Sequence, residues 1–244
     1  MSTEIPTDKQ IILVVGGSQG IGYGLVEHAL NGTGASWINK DCLVVATGRD
    51  PSKSESLIKL QEQYKNRLYI EKVDVSDPRS IETFVDTFNS KYTRLDVLLY
   101  NAGVYMDPRL TEYETIDPEV YIKTHLINVI GPQHLFFGLT KLLDHTHQLL
   151  GGTVGETPVP LADDENKDAM TKVRVVFVSS IMGSMACHNY YAGPAYRTSK
   201  AALNHVARDI ALKFPHYGTF VVHPGYVMTR LTSGKGDVTI DQSA

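Results

Sequence analysis

The chain has 244 residues, a net charge of -4, 42% hydrophobic residues and two cysteines. That length and apolar content suit one α/β domain with a large core. The lack of a basic block excludes a nucleic-acid footprint, and apolar runs of at most about six residues exclude a membrane span. Two cysteines cannot make a disulfide framework, and residues 1–10 are polar without a signal core, so a reduced, cytoplasmic protein is expected.

The first predicted element is a strand at 11–15, the run Ile11-Ile12-Leu13-Val14-Val15. It runs into Gly16-Gly17-Ser18-Gln19-Gly20-Ile21-Gly22, and Ile21, Leu25, Ala29 and Leu30 then recur at helical spacing over 20–31. This is strand, tight turn and helix start. Glycines there let the backbone approach a pyrophosphate, while the first helical N–H groups and the positive end of the helix dipole hold its charge. A dinucleotide is the expected guest. The same residues also spell Gly-x-Ser-x-Gly, the nucleophile elbow of α/β-hydrolases, but only one strand precedes them. An elbow needs earlier strands and an oxyanion loop, so hydrolase chemistry is set aside.

An insertion at 31–41 containing Trp37 delays the second strand and has no functional reading. Further strands are predicted near 42–47, 68–73, 96–100, 173–178 and 219–223, with helices at 53–65, 78–90, 118–143 and 195–213. Leu203, Val206, Ala207 and Ile210 give the last helix its core spacing. The βαβ alternation predicts an α/β fold: a Rossmann-type, doubly wound parallel sheet with helices on both faces, in one domain covering 1–244. Ligands then gather at the carboxyl ends of the strands. From His145 to Lys172 the chain is polar and rich in Gly, Pro and acidic residues, which predicts a long surface loop. His145 and His147 have no third ligand nearby and read as solvated, so no metal is expected.

Tyr196 and Lys200 lie one turn apart at the head of the last helix. Residues four apart share a helix face, and a cation beside a phenol is expected to lower its pKa from about 10 toward working pH. A tyrosine so tuned can protonate a nascent alkoxide.

Together, Gly-x-x-x-Gly-x-Gly and Tyr-x-x-x-Lys resemble the short-chain dehydrogenase/reductase family, and further matches follow in the family's order. Asp74-Val75 is similar to the pair that contacts adenine. Asn101-Ala102-Gly103 resembles Asn-Asn-Ala-Gly with Tyr100 in place of the first Asn. Asn128 resembles the helix Asn that anchors a water in the family's proton relay, and Ser179-Ser180 ends a strand as the catalytic Ser segment does. Pro224-Gly225-Tyr226-Val227-Met228-Thr229 is similar to the segment that runs along the nicotinamide. The resemblance implies that Ser180, Tyr196, Lys200 and Asn128 are catalytic. It implies a cofactor held by Gly16, Ser18, Gln19, Gly20, Ile21, Gly22, Asp74, Val75, Asn101, Ala102, Gly103, Tyr196, Lys200, Pro224, Gly225, Val227 and Thr229. At the end of the second strand it puts the acidic, ribose-gripping position on Gly48, with Arg49 following. That is the pattern of NADP-preferring members, although Asp50 stands one residue beyond.

Between Ser180 and Tyr196 the chain carries Met182, Met185, Cys187, His188, Tyr190 and Tyr191. With Tyr105, Met106 and Tyr226 they suggest a pocket wall for an apolar or aromatic carbonyl; Tyr105, Met182, His188, Tyr190, Tyr191 and Tyr226 are the substrate candidates. This stretch most resembles the sniffer-like and C-factor-like carbonyl reductases, which implies NADPH-dependent reduction of an aldehyde or ketone. Two other readings stand beside it: a catalytically silent NADP-binding sensor and a 3-oxoacyl-carrier-protein reductase. Only residues 230–244 follow Thr229, so the family's substrate-covering helix and final strand are expected to be missing. Many members associate, so the resemblance also implies a dimer or tetramer.

Overall fold

A computed structural model of the chain describes residues 5, 8–107, 116–154, 172–189 and 191–244. Six strands form one sheet: β1 (Ile11–Val15), β2 (Leu43–Gly48), β3 (Leu68–Lys72), β4 (Val97–Tyr100), β5 (Arg174–Val178) and β6 (Gly218–Val222). All are parallel, in the order β3-β2-β1-β4-β5-β6. β1 and β2 are buried along their whole length, as expected of strands covered on both faces. The order reverses between β1 and β4, and at such a switch point the two connecting helices leave on opposite faces, opening a crevice.

The helices are α1 (Gly20–Asn31), α2 (Glu55–Gln63), α3 (Pro78–Lys91), α4 (Pro118–His125), α5 (Gly131–Leu149), α6 (Pro194–Lys213) and α7 (Ile240–Ser243). Their ends follow local chemistry. Asp77 and Asp117 cap α3 and α4 through their side chains, each followed by Pro at the first helical position. α1 stops at Gly32, which is left-handed at φ 69°. Alternation along the strands divides the core. Leu13, Val15, Leu98, Tyr100, Val175 and Phe177 face Phe84 and Phe88 of α3, Leu135 and Leu139 of α5, and Leu203 and Ala207 of α6. Ile12, Val14, Val44 and Ala46 face Val26 and Leu30 of α1 and Leu57 and Leu60 of α2. Among the described residues nothing pairs with the outer edge of β6, where Phe220, Val221 and Val222 are 46%, 42% and 39% exposed.

Three expectations change. The helix predicted over 118–143 is two helices joined by a π-turn at Leu126–Ile130, and α5 runs on to Leu149. The π-turn holds one residue more than an α-turn, and apolar spacing does not reveal it. Residues 145–149 are therefore helical rather than loop; residues 155–171 of that predicted loop lie outside the described residues. His147 is not solvated but 4% exposed, with its ring 5.1 Å from that of His216, and burial together with that neighbour holds its pKa below the ordinary histidine value. His145 is exposed.

The insertion carrying Trp37 has a structural role. The Arg174 guanidinium lies 4.7 Å from the Trp37 ring centroid, a cation–π contact. The Gln10 amide donates to the Trp37 carbonyl (3.0 Å) and accepts from the Asn39 N–H (2.8 Å). The insertion thus closes the amino-terminal edge of β1 and β5. No helix among the described residues is long and apolar enough to cross a membrane.

Candidate active site at the carboxyl edge of the sheet

Strand register brings the predicted residues to one edge. Val15 pairs with Tyr100, Tyr100 with Phe177, and Val178 with Val222. The segments beginning at Gly16, Asn101, Ser179 and His223 therefore leave the sheet side by side.

The first glycine turn is built by close approach. Gly16 has φ 82°, and a Cβ on it would lie 2.8 Å from the Ala102 Cα. At Gly22 a Cβ would be driven into the Gly16 carbonyl oxygen and to 2.6 Å from Asn101 Nδ2. Asn101 Nδ2 donates to that carbonyl (3.1 Å), and the Gly17 N–H donates to the Thr47 carbonyl (2.8 Å). Gln19, at the head of α1, is extended and supplies no side-chain cap, and no acidic residue occupies the first turn, which contains Ile21. The first N–H groups of α1 are thus left for an anion. The Thr229 methyl stands 3.7 Å from the Cβ position of Gly20, so the segment after β6 roofs the turn. Within that segment Gly225 has φ 90°, Val227 is buried and bridges to Val238, and the Pro224 carbonyl accepts from Ser243 (2.7 Å).

A cavity of about 430 Å³ beside the turn is lined by Ser18, Gln19, Asp50, Lys53, Ser54, Glu55 and Arg230, among others. Asp50 does not stand free within it: Lys53 lies 2.7 Å and Ser52 2.6 Å from its carboxylate, and the Lys53 hydrogen bond is the chief cause holding its pKa below the usual carboxylate value. Arg49 is exposed. Asp74 and Val75 are half-buried, and Asp74 accepts from both the N–H (3.0 Å) and the hydroxyl (2.6 Å) of Ser76. These residues fit a dinucleotide: a turn whose glycines leave room for close approach, uncapped helix N–H groups, and a polar cavity at the end of β2.

The proton-transfer candidates meet beyond β4 and β5. Tyr196 is 8% exposed, and its ring lies 5.1 Å from that of Tyr105. Lys200 is 4% exposed, donates to the Val178 carbonyl (2.8 Å) and places Nζ 5.6 Å from the Tyr196 ring centroid. A Cβ on Gly103 would lie 3.5 Å from Lys200 Nζ and 3.3 Å from Asn128 Oδ1, so the turn after β4 touches both. The Asn128 side chain is fully engaged. Its Oδ1 accepts from the Val104 N–H (2.8 Å), and its Nδ2 donates to the Val104 carbonyl (2.9 Å) and to Ser199 Oγ (3.0 Å). Ser180 caps the short turn at 181–183, accepting from the Met182 N–H (3.1 Å).

The expected direction of the tyrosine shift is corrected. Burial pushes the Tyr196 phenol up to about 12; the Ser180 hydroxyl pulls against this, and Tyr105 adds to it. Burial also brings the Lys200 ammonium down to about 8. Spacing places the amine near the ring, but the ammonium is aimed at a backbone carbonyl and the desolvation of phenolate prevails. At neutral pH the pair is a phenol and an ammonium, the protonated form a proton donor requires.

The substrate candidates divide. Met182 lines a cavity of about 370 Å³ with Ile181, Cys187, Asn189 and Arg197. Tyr105 packs on Tyr196 and is 39% exposed, whereas His188, Tyr191 and Tyr226 are exposed at the surface. Tyr190 lies outside the described residues. Tyr100, in place of an asparagine, is buried, its hydroxyl has no hydrogen-bond partner among the described residues, and that burial raises its pKa. It fits because residue 131 is glycine: a Cβ there would lie 3.1 Å from the Tyr100 oxygen. Two contributors escaped the sequence reading. Ser199 donates to the Tyr196 carbonyl (2.7 Å), and Asp107 accepts from the backbone at the head of α6.

Comparison with known proteins shows the family. A family model described as short chain dehydrogenase matches residues 10–150. The short chain dehydrogenase gsfK of Penicillium aethiopicum is 29% identical over 89% of this chain and 76% of its own length. An NADPH-bound carbonyl reductase from chicken fatty liver superposes with TM-score 0.79 at 26% identity, covering 99% of this chain and 86% of that one. The carbonyl reductase Sniffer of D. melanogaster, at 22% identity, shares the fold with TM-score 0.75 over 96% of this chain and 88% of its own.

Proposed function

Because the chain belongs to the short-chain dehydrogenase family, a family of oxidoreductases, we propose that it reduces an apolar or aromatic aldehyde or ketone to the alcohol, using NADPH and Tyr196 as proton donor. One observation carries this reading: a phenol whose pKa burial raises to about 12 lies beside a buried ammonium and the Ser180 hydroxyl, at the switch-point edge of the sheet. When bound, the nicotinamide supplies hydride to the carbonyl carbon. Tyr196 donates its proton to the carbonyl oxygen, and the Ser180 hydroxyl hydrogen-bonds the same oxygen as charge develops on it. Lys200 would hold the nicotinamide ribose when the cofactor is bound, and its charge stabilises the phenolate that proton donation leaves on Tyr196. Asn128 fixes Val104 and, through Ser199, the backbone of Tyr196. The apolar side chains of Ile181 and Met182 in the adjoining cavity suit an apolar substrate.

NADPH is favoured by the end of β2. Lys53 and Ser52 engage the Asp50 carboxylate, and the exposed Arg49 and the Ser18 hydroxyl would be available to a 2′-phosphate. Arg49→Glu is expected to weaken NADPH at least about tenfold, the scale of one charge-assisted pair, while NADH is affected much less. Fluorescence titration of both cofactors reads this; equal weakening of the two would remove the assignment.

The pH dependence follows from Lys200. Its ammonium is present below about 8 and is lost as pH rises through that value, while the phenol keeps its proton. Reduction measured as kcat/KM for NADPH, which reports groups of the free enzyme, is therefore level near neutrality and falls above about pH 8. The reading as a whole is tested by a panel of aromatic aldehydes, diketones and alcohols assayed with NADPH and NADH. NADPH consumption with an apolar carbonyl is expected, and turnover restricted to acyl-carrier thioesters would replace the substrate class.

A further inference from the structure

We propose that Asp107 is a positioning residue for Tyr196, supplying from the segment after β4 the cap that α6 cannot make for itself; this rests on the reading of Tyr196 as proton donor. The residue preceding α6 is Gly193, at φ 52°, and it offers no side chain to the helix. A side chain cannot be introduced there cheaply, because a Cβ would lie 2.7 Å from the Tyr105 hydroxyl and the left-handed φ disfavours non-glycine residues. The first N–H groups of α6 need an acceptor from elsewhere. Asp107 provides it: Oδ1 accepts from the Ala195 N–H (2.8 Å) and Oδ2 from the N–H of Tyr196 itself (2.9 Å). A carboxylate at this end also complements the helix dipole.

A second line reaches Tyr196 from the same segment. Its carbonyl accepts from Ser199 Oγ, Ser199 Oγ accepts from Asn128, and Asn128 grips both backbone groups of Val104. The backbone of Tyr196 is thus held at its N–H by Asp107 and at its carbonyl through Val104, with the Tyr105 ring packed against its own. Residues 104–107 continue directly from Asn101-Ala102-Gly103, which touches the glycine turn and Lys200. One short segment therefore registers the proton donor against the cofactor turn. A displacement of about 1 Å at a reacting group can cost about a hundredfold in rate, which gives Asp107 leverage without contact with the substrate.

The test compares Asp107→Ala and Asp107→Asn with the unchanged protein. For Asp107→Ala, kcat is expected to fall about tenfold or more with NADPH affinity within about twofold, and the solvent deuterium isotope effect on kcat to rise as proton transfer becomes limiting. Asp107→Asn keeps one acceptor oxygen and is expected to recover part of the loss. Amide hydrogen exchange at Ala195 and Tyr196 is expected to accelerate in Asp107→Ala, a readout that needs no turnover. An unchanged kcat and isotope effect, or unchanged protection of those two amides, overturns the inference; where Asp107→Ala does not fold, Asp107→Asn carries the same measurements. Failure of the unchanged protein to reduce any carbonyl sinks the reductase reading instead, and the exchange measurement then decides the cap by itself.

Discussion

Tyr196→Phe is expected to lower kcat for carbonyl reduction by about a thousandfold, near the middle of the range for a positioned general acid, while NADPH affinity stays within about twofold. Phe keeps the ring that packs 5.1 Å from Tyr105 and leaves the backbone anchors at Asp107 and Ser199 untouched. The lost group is the hydroxyl alone. Because burial already disfavours its ionised form, removal costs the fold little, about 1 kcal/mol or less. The variant should melt like the unchanged protein, quench with NADPH like it, and fail to turn over. Retention of more than about a tenth of kcat would give the proton to another donor, because a general acid ordinarily contributes at least about a hundredfold.

Gly22→Ala is expected to fail earlier, at binding. Its Cβ would be driven into the Gly16 carbonyl, the group that Asn101 fixes at 3.1 Å, and would lie 2.6 Å from Asn101 Nδ2. These neighbours are backbone and a pinned amide rather than the free end of a flexible side chain, so the turn or the head of α1 must shift. Either shift spoils the close approach that the turn offers a pyrophosphate. A loss of NADPH affinity of about a hundredfold is expected, with destabilisation of about 1–3 kcal/mol from overpacking. Calorimetric titration and thermal melting separate the two effects. Unimpaired binding by Gly22→Ala would move the pyrophosphate away from this turn. The contrast with Tyr196→Phe, which binds and does not react, assigns binding and chemistry to different ends of the crevice.

Much of this arrangement is legible in the residues. Runs such as Ile11 to Val15 and Val175 to Val178 are short, rich in β-branched residues and bounded by turn residues, which marks them as buried strands; each glycine-rich or Asn-containing turn follows one of them, so the sheet and its working edge can be read before any coordinates. Asp50-x-x-Lys53 is likewise an i,i+3 pair visible in the sequence. What could not be read depends on burial and on distant partners. Tyr196 and Lys200 are neighbours by spacing, but spacing does not say that the Val178 carbonyl takes the ammonium or that desolvation outweighs its charge. The π-turn around Asn128 leaves no mark on the apolar pattern. Asp107 lies 88 positions from Ala195; its only sequence signal is Gly193-Pro194, a helix start without a capping side chain. His147 looked solvated because its polar neighbours suggested loop, whereas α5 continues through it.

Hydride transfer at this edge is tested most directly with NADPH deuterated at the transferable C4 position. The protein is incubated with an aromatic aldehyde and a diketone, and the alcohols are analysed by mass spectrometry. One deuterium on the carbinol carbon is expected with the unchanged protein, and about a thousandfold less product with Tyr196→Phe. Tight NADPH binding with no deuterium in any product, across a broad panel of carbonyls, would contradict the reductase assignment and leave a cofactor sensor in its place.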